Sequence, residues 1–207
     1  MPALTQWRRR LRWLLGRGWS AQDFAARYAA GGADACGYRN SPQHLARADF
    51  ILAALPAERF ERALEVGCAQ GFLSERLATR VDRLIACDIS PEAVALAKQA
   101  GLTNVDFRVA DIRRGFPGEA FDFCLFSDVL YYLAPREIDA VLDEAARKTR
   151  AGGCLVVVNE WRAGAKGLTS PQYSFARLDE SADWRRTDAR RTPFGEAELS
   201  LAVYRRV

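Results

Sequence analysis

The run from Leu64 to Ser74, LEVGCAQGFLS, constrains this chain more than any other stretch. A short apolar segment (Ala63, Leu64, Glu65, Val66) stops at Gly67, Ala69 and Gly71, and helix-forming residues follow. That order describes a strand, a tight turn of small residues, and a helix whose first N–H groups have no partner within the helix. The glycine spacing separates two ligands. A dinucleotide fingerprint, G-x-G-x-x-G, places its third glycine five residues after the first. Here Gly71 falls four residues after Gly67, Phe72 stands where the third glycine belongs, and an acid, Glu65, lies at the strand's end. An acid and a shortened turn suit a zwitterionic amino-acid tail better than a pyrophosphate. The turn therefore points to S-adenosylmethionine ahead of NAD.

Around this turn, strand and helix signals alternate. Strand-like runs are Arg62–Val66, Arg83–Asp88, Val105–Ala110, Phe121–Ser127 and Gly153–Asn159. Helical stretches lie near Phe72–Thr79, Pro91–Ala100 (capped by Ser90) and Arg136–Thr149. Such alternation implies βαβ units and a parallel sheet with helices on both faces. Upstream, Ser20 with Asp23 resembles a capping box opening a helix to about Ala30, and Ser41-Pro42 opens another to about Leu55. After Asn159 the pattern changes. Lys166–Asp179 reads as a loop with a short helix, and Asp183–Arg190 and Leu199–Arg205 as a hairpin. The fold class expected is α/β: a Rossmann-like, seven-stranded, mostly parallel sheet with an antiparallel last strand and an N-terminal helical lid. A length of 207 residues suits one domain. Within it, residues 1–56 form the N-terminal helices and lid, 57–160 the cofactor-binding core, and 161–207 an acceptor-side loop and C-terminal hairpin.

The five cysteines are odd in number and form no C-x-x-C pair. Four lie in apolar, strand-like runs and read as small buried hydrophobes of a reducing compartment. No metal site is expected. The net charge is +4, and Trp7–Trp19 carries five arginines and no acid. This front could serve an anionic membrane or nucleic acid. The preferred reading is an amphipathic helix packing Trp7, Leu11, Leu14 and Leu15 on the body, with its arginines in water. It is no convincing secretory signal, and no stretch is long enough to span a membrane. The default location is the cytoplasm.

In open α/β sheets the ligand lies beyond the carboxyl ends of the strands. The first strand end supplies Glu65, Gly67, Cys68, Ala69 and Gly71. The second ends at Asp88 and Ile89, where an acid can accept two hydrogen bonds from a ribose diol. At the third, the Asp111 carboxylate can accept from an adenine amino group while the Ile112 N–H donates to a ring nitrogen. The fourth offers Ser127, Asp128, Tyr131 and Tyr132, and the fifth Asn159, Glu160, Trp161 and Arg162. Singly, each acid has an ordinary alternative as a turn or cap residue. Jointly, they fall at successive strand ends in cofactor-binding order.

The segments LEVGCAQGFLSERLA, LIACDISPEAVALAK, VDFRVADI and FDFCLFSDVLYYL resemble motifs of class I S-adenosylmethionine-dependent methyltransferases. Within that superfamily the chain is similar to the nodulation protein S (NodS) type of N-methyltransferase. The closer likeness rests on the GCAxG turn, Val129-Leu130-Tyr131-Tyr132-Leu133, Trp161-Arg162 and the lid-like segment FAARYAAGGADACGYRNSPQHLARADFILAALP. Departures are specific. Ala69 replaces the usual middle glycine, and because the resembling family tolerates a small side chain there, an ordinary φ is expected. Ala35-Cys36 replaces a proline-tryptophan pair of the lid, so an aromatic wall is either missing or supplied by Tyr28, Tyr38 or Trp161. Glu160 stands where a histidine is expected, and the single histidine, His44, reads as structural or solvent-facing.

The resemblance implies methyl transfer to a small-molecule acceptor, an amine such as an amino sugar or a specialised-metabolite intermediate, with nitrogen favoured over oxygen. Asp128 or Glu160 is expected to take the amine proton or to orient the amine, with Tyr132 beside them. The cofactor-binding set is Glu65, Gly67, Cys68, Ala69, Gly71, Asp88, Ile89, Asp111, Ile112, Ser127, Tyr28 and Tyr38. The alternatives are an RNA methyltransferase using the arginine-rich front, and a non-catalytic protein that binds S-adenosylmethionine. No nucleic-acid partner is expected, and the oligomeric state stays open.

Overall fold

In the computed structural model, the described residues are 15, 18–29, 37–38, 41–118, 120–161 and 169–207, with only the backbone for 26–29. Seven strands form one sheet: β1 Phe60–Val66, β2 Val81–Asp88, β3 Val105–Val109, β4 Phe121–Ser127, β5 Thr149–Trp161, β6 Trp184–Phe194 and β7 Ala197–Arg206. Their order is β3-β2-β1-β4-β5-β7-β6. The pairs among β1 to β5 are parallel, whereas β7 runs antiparallel to both β5 and β6. The last strand is thus the reversed one, as the hairpin signal implied.

The helices are α1 Ala21–Ala29, α2 Pro42–Leu52, α3 Phe72–Leu77, α4 Pro91–Ala97, α5 Pro135–Lys148 and α6 Pro171–Glu180. Ser41 and Ser90 cap α2 and α4 from extended backbone, each followed by proline in the first turn. Both α3 and α4 finish in a 3-10 turn. β1 and β2 each begin two residues earlier than their apolar runs, and β3 ends before Ala110. There Asp111 caps a 3-10 turn at Ile112–Arg114.

Burial explains the strand chemistry. Cys154, Leu155, Val156, Val157 and Val158 of β5 are all buried, because helices or loops cover both faces. One core layer, with Leu73, Val94, Phe123 and Val156, lies on one face of the sheet; the other, with Phe126, Ile138, Leu142 and Leu155, lies on the opposite face. The thiols of Cys68, Cys87, Cys124 and Cys154 are free and buried, as their apolar contexts indicated. Cys36 lies outside the described residues. The outer strand β6 exposes Arg185, Arg186 and Arg191 and carries Pro193 and a bulge between Arg186 and Asp188. Charge, proline and bulge together discourage edge-to-edge pairing with another chain.

Two expectations need correction. Leu15 does not pack on the body: it is 60% exposed. Trp7, Leu11 and Leu14 lie outside the described residues. Ala69 does not have an ordinary φ; its φ is 47°. The turn needs left-handed backbone there even though the side chain is a methyl, because the Ala69 N–H is drawn to Asp88 at 3.0 Å. Among the described residues, no helix is long and apolar enough to cross a membrane.

Candidate functional site

The carboxyl ends of the strands open into a cavity of about 290 Å³. Glu65, Gly67, Cys68, Ala69, Asp88, Ile89, Asp111, Ile112, Ser127, Asp128, Tyr132, Glu160 and Tyr38 all border it. Gly71 does not; it sits behind the turn as the N-cap of α3 with φ 80°. The side chain of Tyr28, and Ala35, Cys36 and Arg162, lie outside the described residues.

The first turn is shaped by one close approach. Gly67 has φ 81°, and a Cβ there would lie 2.3 Å from Val129 Cγ2. Only glycine lets the backbone pass the β4 loop at that distance. Glu65, behind the turn, is fully buried and accepts from the Ser74 hydroxyl at 2.5 Å. Burial pushes its carboxyl up to about 7, partly offset by the Ser74 hydrogen bond. Asp88 is also buried and its carboxyl is raised, again chiefly by burial, while backbone N–H groups pull it back. Its Oδ1 accepts from Ser90 N at 2.9 Å and its Oδ2 from Ala69 N at 3.0 Å. A carboxylate offers roughly four lone-pair sites, so these contacts orient Asp88 and leave capacity for a diol.

Asp111 is more heavily engaged. Arg113 grips it through both ends of its guanidinium, Nε to Oδ1 and NH2 to Oδ2, each at 2.7 Å. Burial pushes the Asp111 carboxyl up, but the Arg113 hydrogen bonds and charge outweigh it and the net shift is downward. Its capping role and its place on the cavity wall therefore coexist.

At the fourth strand end, Asp128 has φ 55°. Its N–H donates to Val158 O at 2.9 Å, and its Oδ1 accepts from Glu160 N at 2.6 Å. These two bonds lock the ends of β4 and β5 together. Its Oδ2 accepts from Arg47 NH2, which also donates to Ser127 Oγ at 2.8 Å. The Arg47 Nε–H is buried without a partner. Sequence reasoning missed Arg47. The available signal was its i, i+3 spacing from His44 on a helix whose start Ser41-Pro42 fixes, which puts both on one face. His44, expected to be structural or solvent-facing, is half-buried: it borders the cavity, edge-on to Tyr38 at 4.5 Å between ring centroids.

An aromatic wall is present: Tyr38, one of its expected sources, borders the cavity, and further aromatic residues join it. Trp19, Phe24 and Tyr132 form a cluster with centroids 4.7–5.3 Å apart, all bordering the cavity. Trp19 N donates to Tyr132 O at 2.8 Å, and Gly18 N to Glu137 Oε2 at 2.7 Å. A Cβ on Gly18 would come within 2.3 Å of Tyr132 O, so only glycine allows the segment to lie this close. Trp161, the other proposed source of a wall, does not border the cavity.

Residues 64–157 match the model of a family described as a methyltransferase domain. A crystal structure of a putative methyltransferase from Pseudomonas syringae is 30% identical, with a TM-score of 0.66, covering 78% of this chain and 97% of that one. The chain belongs to the class I S-adenosylmethionine-dependent methyltransferases. Within that family it is similar to nodulation protein S of Rhizobium tropici, 32% identical over 112 residues, 53% of this chain and 47% of the relative. The match thus spans about half the length of that curated relative. The crystal structure of the N-methyltransferase NodS from Bradyrhizobium japonicum WM9 in complex with S-adenosyl-L-homocysteine has the same fold. Its TM-score is 0.80 at 23% identity, covering 90% of this chain and 97% of that one. The cofactor of this methyltransferase is S-adenosylmethionine. The cavity fits that group chemically: buried carboxylates at two strand ends, one oriented with spare acceptor capacity, stand beside a turn that admits close backbone approach.

Proposed function

We propose that this methyltransferase transfers a methyl group to the amine of a small-molecule acceptor, an amino sugar or a specialised-metabolite intermediate. One observation carries the reading: polar groups from five strand ends converge on a single cavity that also holds an aromatic wall. The similarity to nodulation protein S supports nitrogen over oxygen as the methylated atom.

When bound, S-adenosylmethionine supplies a sulfonium methyl for in-line displacement. The chain's own residues bind, orient and exclude water. Asp88 accepts the ribose hydroxyls, and Asp111 with the Ile112 N–H meets the adenine edge. Glu65, Ser127 and the small residues Gly67, Cys68 and Ala69 hold the methionine end, with Gly71 behind them closing the turn, and an ionised Glu65 pairs with the ammonium. Ile89 and Tyr38 pack beside them. Trp19, Phe24 and Tyr132 keep water from the reacting face, which strengthens every polar contact behind them.

Of the two acids facing the acceptor, Asp128 already serves Arg47 and the Glu160 N–H. It is the orienting group. Glu160 is the group that holds or takes the amine proton at its carboxylate. The deciding experiment is mass spectrometry of products after incubation with isotopically labelled cofactor and a panel of amino sugars and amino-containing metabolites. A labelled methyl on nitrogen supports the reading. Cofactor binding with no labelled product across the panel counts for a non-catalytic protein, and steep salt-dependent binding of transfer RNA for a nucleic-acid substrate.

A further inference from the structure

A second hollow, of about 480 Å³, lies over the first halves of β1, β2 and β3, away from the strand ends that form the first cavity. It exists because the β3–β4 connection is short. The described residues of 110–120 contain only the 3-10 turn Ile112–Arg114, whereas a covering helix needs a connection of a dozen or more residues. Ile85, on the same face of β2 as Arg83, forms a half-buried apolar floor. Arg62, Arg83 and Arg108 stand around it.

Register makes this cluster unusual. Arg62 is paired directly with Arg83 on neighbouring parallel strands, and strand alternation puts both on one face. Like charges so placed repel. Their relief is unequal. Arg108 donates to Asp106 at 2.7 Å, while Arg62 reaches Glu61 only at 3.8 Å. Arg83 has no hydrogen bond or ion pair among the described residues. Asp106 is the sole carboxylate among the described residues bordering the hollow, so three guanidiniums face one acid.

We propose that this hollow docks an acidic, amphipathic segment of a partner protein. The adjacent guanidinium forks match carboxylates spaced along a peptide, and arginine is enriched in such contacts. The apolar floor decides between classes of partner. A phosphate group or a nucleic-acid backbone would satisfy the arginines and leave Ile85 without a complement; leucine-like side chains between the acids would cover it.

The test uses the full chain and a fluorescein-labelled peptide of repeating Glu-Glu-Leu, followed by anisotropy. The wild-type chain should bind it saturably, and a duplex oligonucleotide of equal charge should not displace it. The double variant Arg62→Ala/Arg83→Ala should weaken binding about tenfold, and Ile85→Thr should weaken it severalfold. Thermal unfolding and cofactor affinity should match the wild type in the arginine variant, since neither residue belongs to the first cavity. Equal binding by the arginine variant, or no saturable binding by the wild type, overturns the proposal. Arginine-dependent binding that ignores Ile85→Thr, or that yields to the oligonucleotide, also overturns it and assigns the hollow to a simple polyanion. Whether the first cavity transfers methyl groups is read separately by the labelled-product assay.

Discussion

Arg47 on α2 donates from its NH2 group to the Asp128 carboxylate at the end of β4, 81 residues away in sequence. The pair is largely enclosed, with the two side chains 13% and 25% exposed. It ties the helix in front of the cavity to the strand end behind it. Asp128 in turn holds the Glu160 N–H, so one ion pair sets the positions of both acids on this side of the cavity.

Arg47→Met should therefore lower stability by about 1–3 kcal/mol, because it leaves an enclosed carboxylate without its charge partner. Asp128→Asn should do less, since the amide oxygen still accepts from Glu160 N. Urea unfolding of both singles and the double should reveal coupling, the double losing less than the sum. Strict additivity would show the pair to be energetically idle.

Asp88→Ala should weaken binding of S-adenosylhomocysteine by about 1–3 kcal/mol, roughly fivefold to 150-fold. Asp111→Ala should be milder, since the Ile112 N–H remains. Titration calorimetry checks both, and unaltered affinity in the two variants would remove the ribose and adenine assignments.

The Glu65 carboxyl, raised to about 7 by burial, gives two pH effects. Folding raises this pKa, so between about 4.5 and 7 the native state holds more protons than the unfolded chain, and stability falls as pH rises through that window. Cofactor affinity should run the other way, strengthening as Glu65 ionises to meet the ammonium. Glu65→Gln should flatten both profiles, measured by urea unfolding and calorimetry across pH 5–8 (roughly the window in which the group titrates). Unchanged slopes would mean that another group titrates.

Ala69, at φ 47°, carries left-handed backbone that disfavours a side chain by about 1–2 kcal/mol. Ala69→Gly relieves this but loosens the unfolded chain by about 0.4–1 kcal/mol. The expected net result is a gain of between about 0 and 1.6 kcal/mol in urea unfolding. A loss would show that the methyl group has packing contacts that outweigh its strain.

Gly18→Ala would drive a Cβ into the Tyr132 carbonyl, 2.3 Å away. The segment should lift, releasing Trp19 from Tyr132. Faster proteolytic cleavage near Trp19 and weaker cofactor binding are expected, with little loss of core stability. Wild-type cleavage and affinity would show that the contact is dispensable.

The sheet and the row of polar groups at its strand ends are written in local residues. Strand runs with continuous apolar burial, Ser-Pro helix starts and the Gly67–Gly71 turn are local signals, readable because backbone propensity and neighbouring residues decide them. The acids at strand ends were legible for the same reason: parallel topology alone places the ends of β1 to β5 on one side. What meets those ends is set by packing between distant segments. The Arg47–Asp128 pair, the aromatic wall from Trp19, Phe24 and Tyr132, and the open face beside Arg62 and Arg83 depend on contacts between segments far apart in the chain. So does the φ of Ala69, which the carboxylate of Asp88 helps to set from a different strand. Local sequence encodes the elements; the partner that each side chain finds is fixed by how the elements pack, and spacing along the chain carries no record of that distance.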